Sequence, residues 1–392
     1  MPEVTHPPRF TLGVFAVGKL LVGIGTRFVY AFLPAIARGL GVSLGAAGAL
    51  ASVRWAAGAA TPLTIRLAGR EHRRRVLQLG LGLYVIGALV TAFFGVYAGA
   101  LAGFVLMGIG KPVFDSGTQA VVADRVPYQR RGRYLGVLEL SWALSFLVGA
   151  PLAGLLIANY SWSAPFLVIG IALLAVIAAV MRDPILTDGS VVDRPGRISW
   201  DRSSKAFLGA TILIVASAEL VFITFAAWLE DVHEFDVAAL AVVAVVIGLG
   251  ELVAEGASVL LTDRLGKGRA VAVGLILEAV GFTTVAFFGG NLLLAVAGLV
   301  LGIGGFEFGF VSSIPLGTEL QPAARIQFLS RFVVAQAFGR AVAALVGIGV
   351  FAVAGVTGVG LLAAAVALVA AAIMQVAAGD HDRRSGVRTQ AR

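Results

Sequence analysis

The sequence predicts an all-α membrane protein of twelve transmembrane helices, arranged as two pseudo-symmetric six-helix bundles. Three observations predict it. The 392 residues are 59% hydrophobic and 13% charged, against about 25% charged in an ordinary soluble domain, and the mean hydropathy is +0.94. The apolar residues run in stretches of about 20 or more, the length a helix needs to cross a bilayer, not in the short alternating runs of strands. The basic residues, finally, gather in alternate turns. A water-soluble fold could not cover so much apolar surface, and the same composition excludes a disordered chain.

The twelve spans are read as 11–37, 44–66, 75–95, 98–122, 134–157, 162–181, 207–231, 237–262, 270–289, 291–316, 328–354 and 356–378. Turn-forming runs separate them, among them Gly39-Leu40-Gly41, Asn159-Tyr160-Ser161, Gly289-Gly290-Asn291 and Gly355-Val356-Thr357. With the N-terminus inside the cell, 24 of the 30 Lys and Arg residues fall in inward turns, the linker or the tails, and Arg38 alone falls outside. The other five (Lys19, Arg27, Arg54, Lys111 and Arg340) lie within spans. This bias places both termini in the cytoplasm of a cell (inner) membrane protein. It also accounts for the net charge of +8 without a nucleic-acid partner. The N-terminus lacks the charged region and cleavage site of a removable signal peptide, so the first span is expected to be retained.

Residues 182–206 are polar, contain Pro184 and Pro195, and read as a cytoplasmic linker. The expected organisation is an N-terminal bundle over 1–181, the linker, a C-terminal bundle over 207–378 and a tail over 379–392. The two halves look like copies. Met107-Gly108-Ile109-Gly110 is answered by Leu301-Gly302-Ile303-Gly304, the turn from Leu67 to Arg75 by that from Leu261 to Arg269, and Leu135 by Leu329, each 194 residues later. Parallel six-helix repeats joined by a linker are suited to alternating access.

These features resemble the major facilitator superfamily over essentially the whole chain. Its Gly-x-Leu-Ala-Asp-Arg-x-Gly-Arg-[Arg/Lys] turn is similar to Leu261-Thr262-Asp263-Arg264-Leu265-Gly266-Lys267. The first copy keeps Arg70, Arg73 and Arg74 but has Gly69 and His72 at the Asp and second Gly positions. The turn Asp124-Arg125 to Arg131-Gly132-Arg133 is also family-like. Gly149-Ala150-Pro151-Leu152-Ala153-Gly154 is similar to the span-5 motif of the drug:proton antiporter (DHA1-like) branch, with Ala150 and Ala153 at two Gly positions and Phe104 at the branch's span-4 Arg. The resemblance implies gating roles for Arg70, Arg73, Arg131, Asp263, Arg264 and Gly266, and a bendable point at Gly149, Pro151 and Gly154.

Charges inside spans are the informative residues, because each costs about 2.5–3.5 kcal/mol at mid-bilayer on insertion scales and normally faces a bundle interior. In the first half these are Arg27, Arg54, Lys111 and Asp115; in the second, Glu219, Glu251, Glu255, Glu307 and Arg340. Lys111 and Asp115, like Glu251 and Glu255, are spaced i,i+4 and share a helix face. Glu219, Glu307 and Asp115 are the first choices for proton carriers; the competing reading makes them structural partners of Lys111, Arg27 and Arg340. Arg27 and Tyr30, spaced i,i+3, are both expected toward a cavity, where a cation beside an aromatic ring suits an anionic or amphipathic substrate. Glu139 and Trp142 share that spacing, and Glu139 is read as a gate residue. Trp228 reads as an interfacial belt residue.

The chain has no cysteine and four scattered histidines, so no disulfide, thiol catalysis or metal centre is expected. It has no phosphate-binding Gly-x-x-x-x-Gly-Lys-[Ser/Thr] loop and no His-Glu-x-x-His motif, so neither ATP nor an enzyme active site is expected. The expected function is secondary active transport by alternating access, with proton-coupled export of hydrophobic or amphipathic small molecules. No cofactor is expected, the coupling ion is a proton, and the partners are a small-molecule or lipid-like substrate and membrane lipids, with the protein a monomer. A lipid or glycolipid flippase, an anionic-metabolite transporter, and a non-transporting receptor or scaffold stay open as alternatives.

Overall fold

A backbone inside hydrocarbon has no water to bond, so an apolar stretch must satisfy its own polar groups, and a helix does so within one segment. The computed structural model describes residues 9–69, 72–126, 128–182, 198–321 and 324–385, and among these all regular structure is helical. The order is α1 (Arg9–Ala31), α2 (Leu33–Leu40), α3 (Leu44–Ala57), α4 (Thr61–Ala68), α5 (Arg73–Phe94), α6 (Tyr97–Arg125), α7 (Tyr128–Asn159) and α8 (Ala164–Arg182), then α9 (Arg202–Phe222), α10 (Phe225–His233), α11 (Val237–Leu265), α12 (Lys267–Phe288), α13 (Leu292–Leu320) and α14 (Arg325–Ser385).

Local chemistry sets the breaks. Pro34 stands in the first turn of α2, where its missing N–H costs nothing but ends the helix before it. Gly41 then turns the chain with a positive φ of 66°. A 3-10 turn over Gly58–Ala60 divides α3 from α4. Side-chain caps start several helices: Ser43 Oγ accepts from the Ala46 N–H at 3.2 Å, Asp201 Oδ1 from Ser204 at 2.8 Å, and Asn291 Oδ1 from Leu294 at 3.1 Å. Because Asp201 caps α9, residues 202–206 of the stretch read as linker form its first turns. Within α14, Gly355 has a φ of 59° and divides two helices.

Among the described residues, ten helices are long and apolar enough to cross a membrane, or eleven when α2 and the α3–α4 pair are taken together across their 112° bend. Dividing the 53-residue stretch Gln327–Gly379 at Gly355 accounts for the twelfth expected crossing. The outward faces are those of a membrane protein: Val353, Val259 and Leu293 are 86%, 78% and 77% exposed, where a soluble protein would place polar groups. Trp228, read as a belt residue, is instead buried in α10 with its ring 6.2 Å from that of His233. Placing it near the end of a span was not enough to put it at the interface, because α10 is a short helix buried on five successive residues from Phe225 to Leu229.

The chain divides into two compact units, Met1–Asp193 with Phe235–Gly248 and Arg194–Glu234 with Leu249–Arg392. Within each, glycines let corresponding helix pairs pack backbone against backbone. In the first, a Cβ on Gly80 of α5 would lie 3.0 Å from Gly110 O of α6, and one on Gly87 would lie 2.5 Å from Gly103 O. In the second, a Cβ on Gly274 of α12 would lie 2.7 Å from Gly305 O of α13, and one on Gly281 would lie 2.6 Å from Gly298 O. Gly274 and Gly281 stand 194 residues after Gly80 and Gly87, the offset read from the sequence. Small residues let membrane helices approach this closely.

The substitution Gly281→Ala should therefore force α12 away from α13, costing about 1–3 kcal/mol and lowering the thermal midpoint in detergent. Gly82→Ala on α5, where nothing lies within 4 Å of the added carbon, should leave the midpoint unchanged. Equal midpoints for the two variants would show that the glycine contacts do not carry this packing.

Candidate functional site

In the first unit α1, α3, α6 and α7 bring four interior cations together with one described carboxylate. Asp115 on α6 takes an ion pair from Lys111, one turn earlier, at 2.7 Å, and a second from Lys19 of α1 at 3.8 Å. The competing sequence reading, in which Lys111 neutralises Asp115, describes this geometry, with Lys19 as an added partner. Lys111 Nζ also lies 5.1 Å from the centre of the Trp142 ring on α7. Arg27 is buried, donates to the Trp142 carbonyl at 3.1 Å, and lies over the Phe146 ring at 3.8 Å and the Trp142 ring at 4.8 Å. Ring faces attract cations most strongly where water is excluded. Arg27 and Tyr30 do not point together: Arg27 faces α7, while the Tyr30 hydroxyl accepts from Trp55 Nε1 of α3 at 2.8 Å.

Arg54 is the unusual member. It is 4% exposed, one nitrogen donates to Thr26 O at 2.8 Å, and Nε and the other terminal nitrogen are buried without a hydrogen-bond partner. The rings of Tyr30, Trp55 and Phe104 lie 5.6, 5.6 and 5.7 Å from its guanidinium carbon. A buried guanidinium with two unused donors and an aromatic wall can take an acidic group attached to an apolar body.

The second unit has the opposite balance. Glu219 of α9 has no exposed surface and accepts from Arg340 of α14 at 2.9 Å, and the Arg340 guanidinium carbon lies 5.6 Å from the Phe306 ring. Glu251 and Glu307 are buried and Glu255 is half-buried. A fifth carboxyl, Glu278 of α12, is absent from the sequence-derived candidates although it is fully buried. It sits near the middle of the span read as 270–289, so the criterion that picked out the other interior charges applies equally to it.

At the ends carrying the basic turns, an ion-paired latch joins two helices in each unit among the described residues. Arg73 at the start of α5 meets Asp124 of α6 through two bonds, at 2.7 and 3.3 Å. Lys267, 194 residues after Arg73, pairs with Glu319 of α13. Asp263 and Arg264, the motif residues read as gating, are exposed and make no side-chain hydrogen bond or ion pair among the described residues, while Gly266 begins α12 with a φ of 82° that favours glycine. Arg70 lies outside the described residues, as do the side chains of Arg131 and Glu139. Gly149 packs on Ile24 of α1, where an added Cβ would lie 2.6 Å away, Gly154 would come 3.3 Å from Phe32, and Pro151 sits inside α7. The latches join residues 51 and 52 positions apart, and a sequence pattern gives no pairing at that range.

Among curated proteins the chain is similar to the uncharacterized MFS-type transporter YbcL of Bacillus subtilis (strain 168), at 22% identity over 370 residues, 92% of this chain and 94% of that one. It is also similar to the multi-drug resistance efflux pump PmrA homolog of Lactococcus lactis, at 23% identity, covering 74% of this chain and 75% of the relative. Among solved structures it superimposes on a POT family transporter in complex with a thioalcohol-conjugated peptide, with a TM-score of 0.78 at 15% identity over 95% of this chain and 96% of that one. At that identity the likeness speaks for the fold alone. The Major Facilitator Superfamily model matches residues 15–254, more than half of the length, and the chain belongs to that family of multi-pass membrane transporters.

Proposed function

We propose that this transporter works by alternating access and exports hydrophobic or amphipathic small molecules in exchange for protons, from a cell membrane in which both termini face the cytoplasm. The observation that carries the proton reading is the imbalance of interior charge in the second unit. Among the described residues, Glu219, Glu251, Glu255, Glu278 and Glu307 stand there against one interior cation, Arg340. Isolated charges are too costly to leave in a dry site and neutralise instead, and Glu278, whose Oε2 is buried without a hydrogen-bond partner, would do so by taking a proton. Residues that must exchange protons as their surroundings change are what proton coupling needs. The efflux relative supports the export direction, and the basic turns support the orientation.

A second reading is favoured by Arg54. Its two unused, buried guanidinium donors and the three rings around it suit a cargo that carries an acidic group, as an anionic metabolite or an anionic lipid headgroup does. This narrows the amphipathic class and is compatible with proton exchange.

Two experiments test these readings. In proteoliposomes, an imposed proton gradient should drive substrate accumulation at least tenfold above the level with a protonophore. Glu307→Gln should abolish the gradient-driven part while retaining substrate exchange at zero gradient. Flux indifferent to the gradient would remove the proton from the mechanism. For Arg54, replacement by Gln should raise the half-saturating concentration of an acidic amphiphile about tenfold, by about 1.4 kcal/mol, and leave that of its methyl ester unchanged. Equal losses for acid and ester would assign Arg54 a structural role only.

A further inference from the structure

Glu278 is a buried carboxyl whose described side-chain partner is a serine hydroxyl. It has no exposed surface, its Oε1 lies 2.6 Å from Ser217 Oγ of α9, and its Oε2 is buried with no hydrogen-bond partner. The charged groups on every neighbouring element leave it without a cation. On α9, Glu219 is engaged with Arg340 of α14, and the cations Arg202 and Lys205 stand at its start, three to four turns from Ser217 at roughly 3.6 residues per turn. On α13, Glu307 is a second carboxyl close enough to interact electrostatically with Glu278, while Glu319 is engaged with Lys267. The part of α14 that packs on α12, from Thr357 to Gln375, carries no ionisable residue. On α12 itself the remaining charges, Lys267 and Arg269, stand at its start, two to three turns away by the roughly 3.6 residues per turn of a helix.

Burial and hydrogen bonding together favour the protonated acid. Ser217 Oγ is 2.6 Å from Glu278 Oε1 and 2.8 Å from the Ile214 carbonyl. A serine hydroxyl has one hydrogen and a carbonyl has none. If Glu278 were ionised, the Ser217 hydrogen would go to it, and a fully buried charge with no cation would hold that one bond. If Glu278 is a carboxylic acid, its O–H donates to Ser217 Oγ and the Ser217 hydrogen goes to Ile214 O, so each donor has an acceptor. The position 194 residues earlier gives the same answer with different chemistry. It is Tyr84 of α5, buried, whose phenol donates to Val22 O of α1 at 3.0 Å beside Thr26 Oγ1 at 3.4 Å. In each unit a neutral O–H at this position ties a glycine-packed helix to its unit's first helix.

We propose that Glu278 is a proton-binding site, occupied in this conformation, whose proton ties α12 to α9 through Ser217. Loss of the proton leaves a buried carboxylate with no cation, held by the Ser217 hydroxyl two residues from the Glu219–Arg340 pair. Occupancy of the site stands apart from the transport mechanism; its use during export rests on the proton-coupled reading.

Infrared difference spectroscopy on the full-length protein in lipid at pH 7 tests the occupancy. Wild type minus Glu278→Gln should show loss of one protonated-carboxyl stretch, and that band should shift down in deuterated water. Ser217→Ala, which preserves the carboxyl and removes its acceptor, should move the same band to higher frequency. An unchanged carboxyl-acid region in Glu278→Gln, or a band indifferent to Ser217→Ala, overturns the proposal. If the band behaves as expected while transport ignores an imposed proton gradient, the site stands and the proton-coupled reading alone falls.

Discussion

A charge inside a membrane-spanning helix has to be answered, and the ways in which these helices answer their charges determine most of what the protein can do. The desolvation cost is large enough that an unpaired ion inside hydrocarbon changes its protonation state, finds a partner or admits water. Asp115 is answered by two lysines, and Arg27 by a carbonyl and two ring faces. Glu219 is answered by Arg340. Such buried pairs add little net stability, because desolvation consumes most of the attraction. Their presence in helices that could have been wholly apolar therefore points to function. Arg54 and Glu278 each keep buried polar atoms without a hydrogen-bond partner, and a bound anion and a bound proton respectively would answer them.

The two units repeat one backbone plan with different charge. The glycine contacts of α5 with α6 recur in α12 with α13 at the same offset, and so do the latches, with Arg73 and Asp124 in one unit and Lys267 and Glu319 in the other. Partly exposed ion pairs of this kind are worth at most about 1 kcal/mol, too little to hold a helix pair that is already locked by backbone contact. A weak, specific link at the end of a rigid pair is better suited to selecting between arrangements of the turns than to stabilising any one of them. The first unit's motif turn lacks the family's Asp, at Gly69, and Asp124 from the next helix supplies the carboxylate that meets Arg73.

Much of the fold was legible because hydrocarbon imposes one rule on every residue of a span. Length, apolarity and turn residues locate the spans; Gly355 marks a break that appears at that place, whereas the break at Pro34 falls inside the span read as 11–37; and the 194-residue offset first seen in short motifs recurs in helix contacts. The interior charges were legible as a set, since each violates that rule. What each one touches was not. Arg27 and Tyr30 share a helix face by spacing, yet neighbours on α7 and α3 draw them apart, and helical periodicity carries no information about those neighbours. Asp263 and Arg264 match a motif, but the described contact at that turn is made three residues later by Lys267 with a carboxylate 52 positions away.

The pair of positions 84 and 278 shows how a duplicated scaffold can acquire coupling without new architecture. A phenol and a carboxylic acid are both neutral O–H donors, and either can bridge to a hydroxyl on the adjacent helix. They differ in how readily the proton leaves, since in water a phenol releases it near pH 10 and a carboxylic acid near pH 4. Tyrosine therefore stays neutral through any ordinary change of surroundings, whereas glutamate stays neutral only while its site is dry and distant from cations. Any rearrangement that brought water or an arginine to Glu278 would release the proton and leave a charge on the α12 side of the contact with Ser217. In the first unit the same motion would leave Tyr84 bonded to Val22, so that one unit could serve as the fixed frame and the other as the proton-sensitive one.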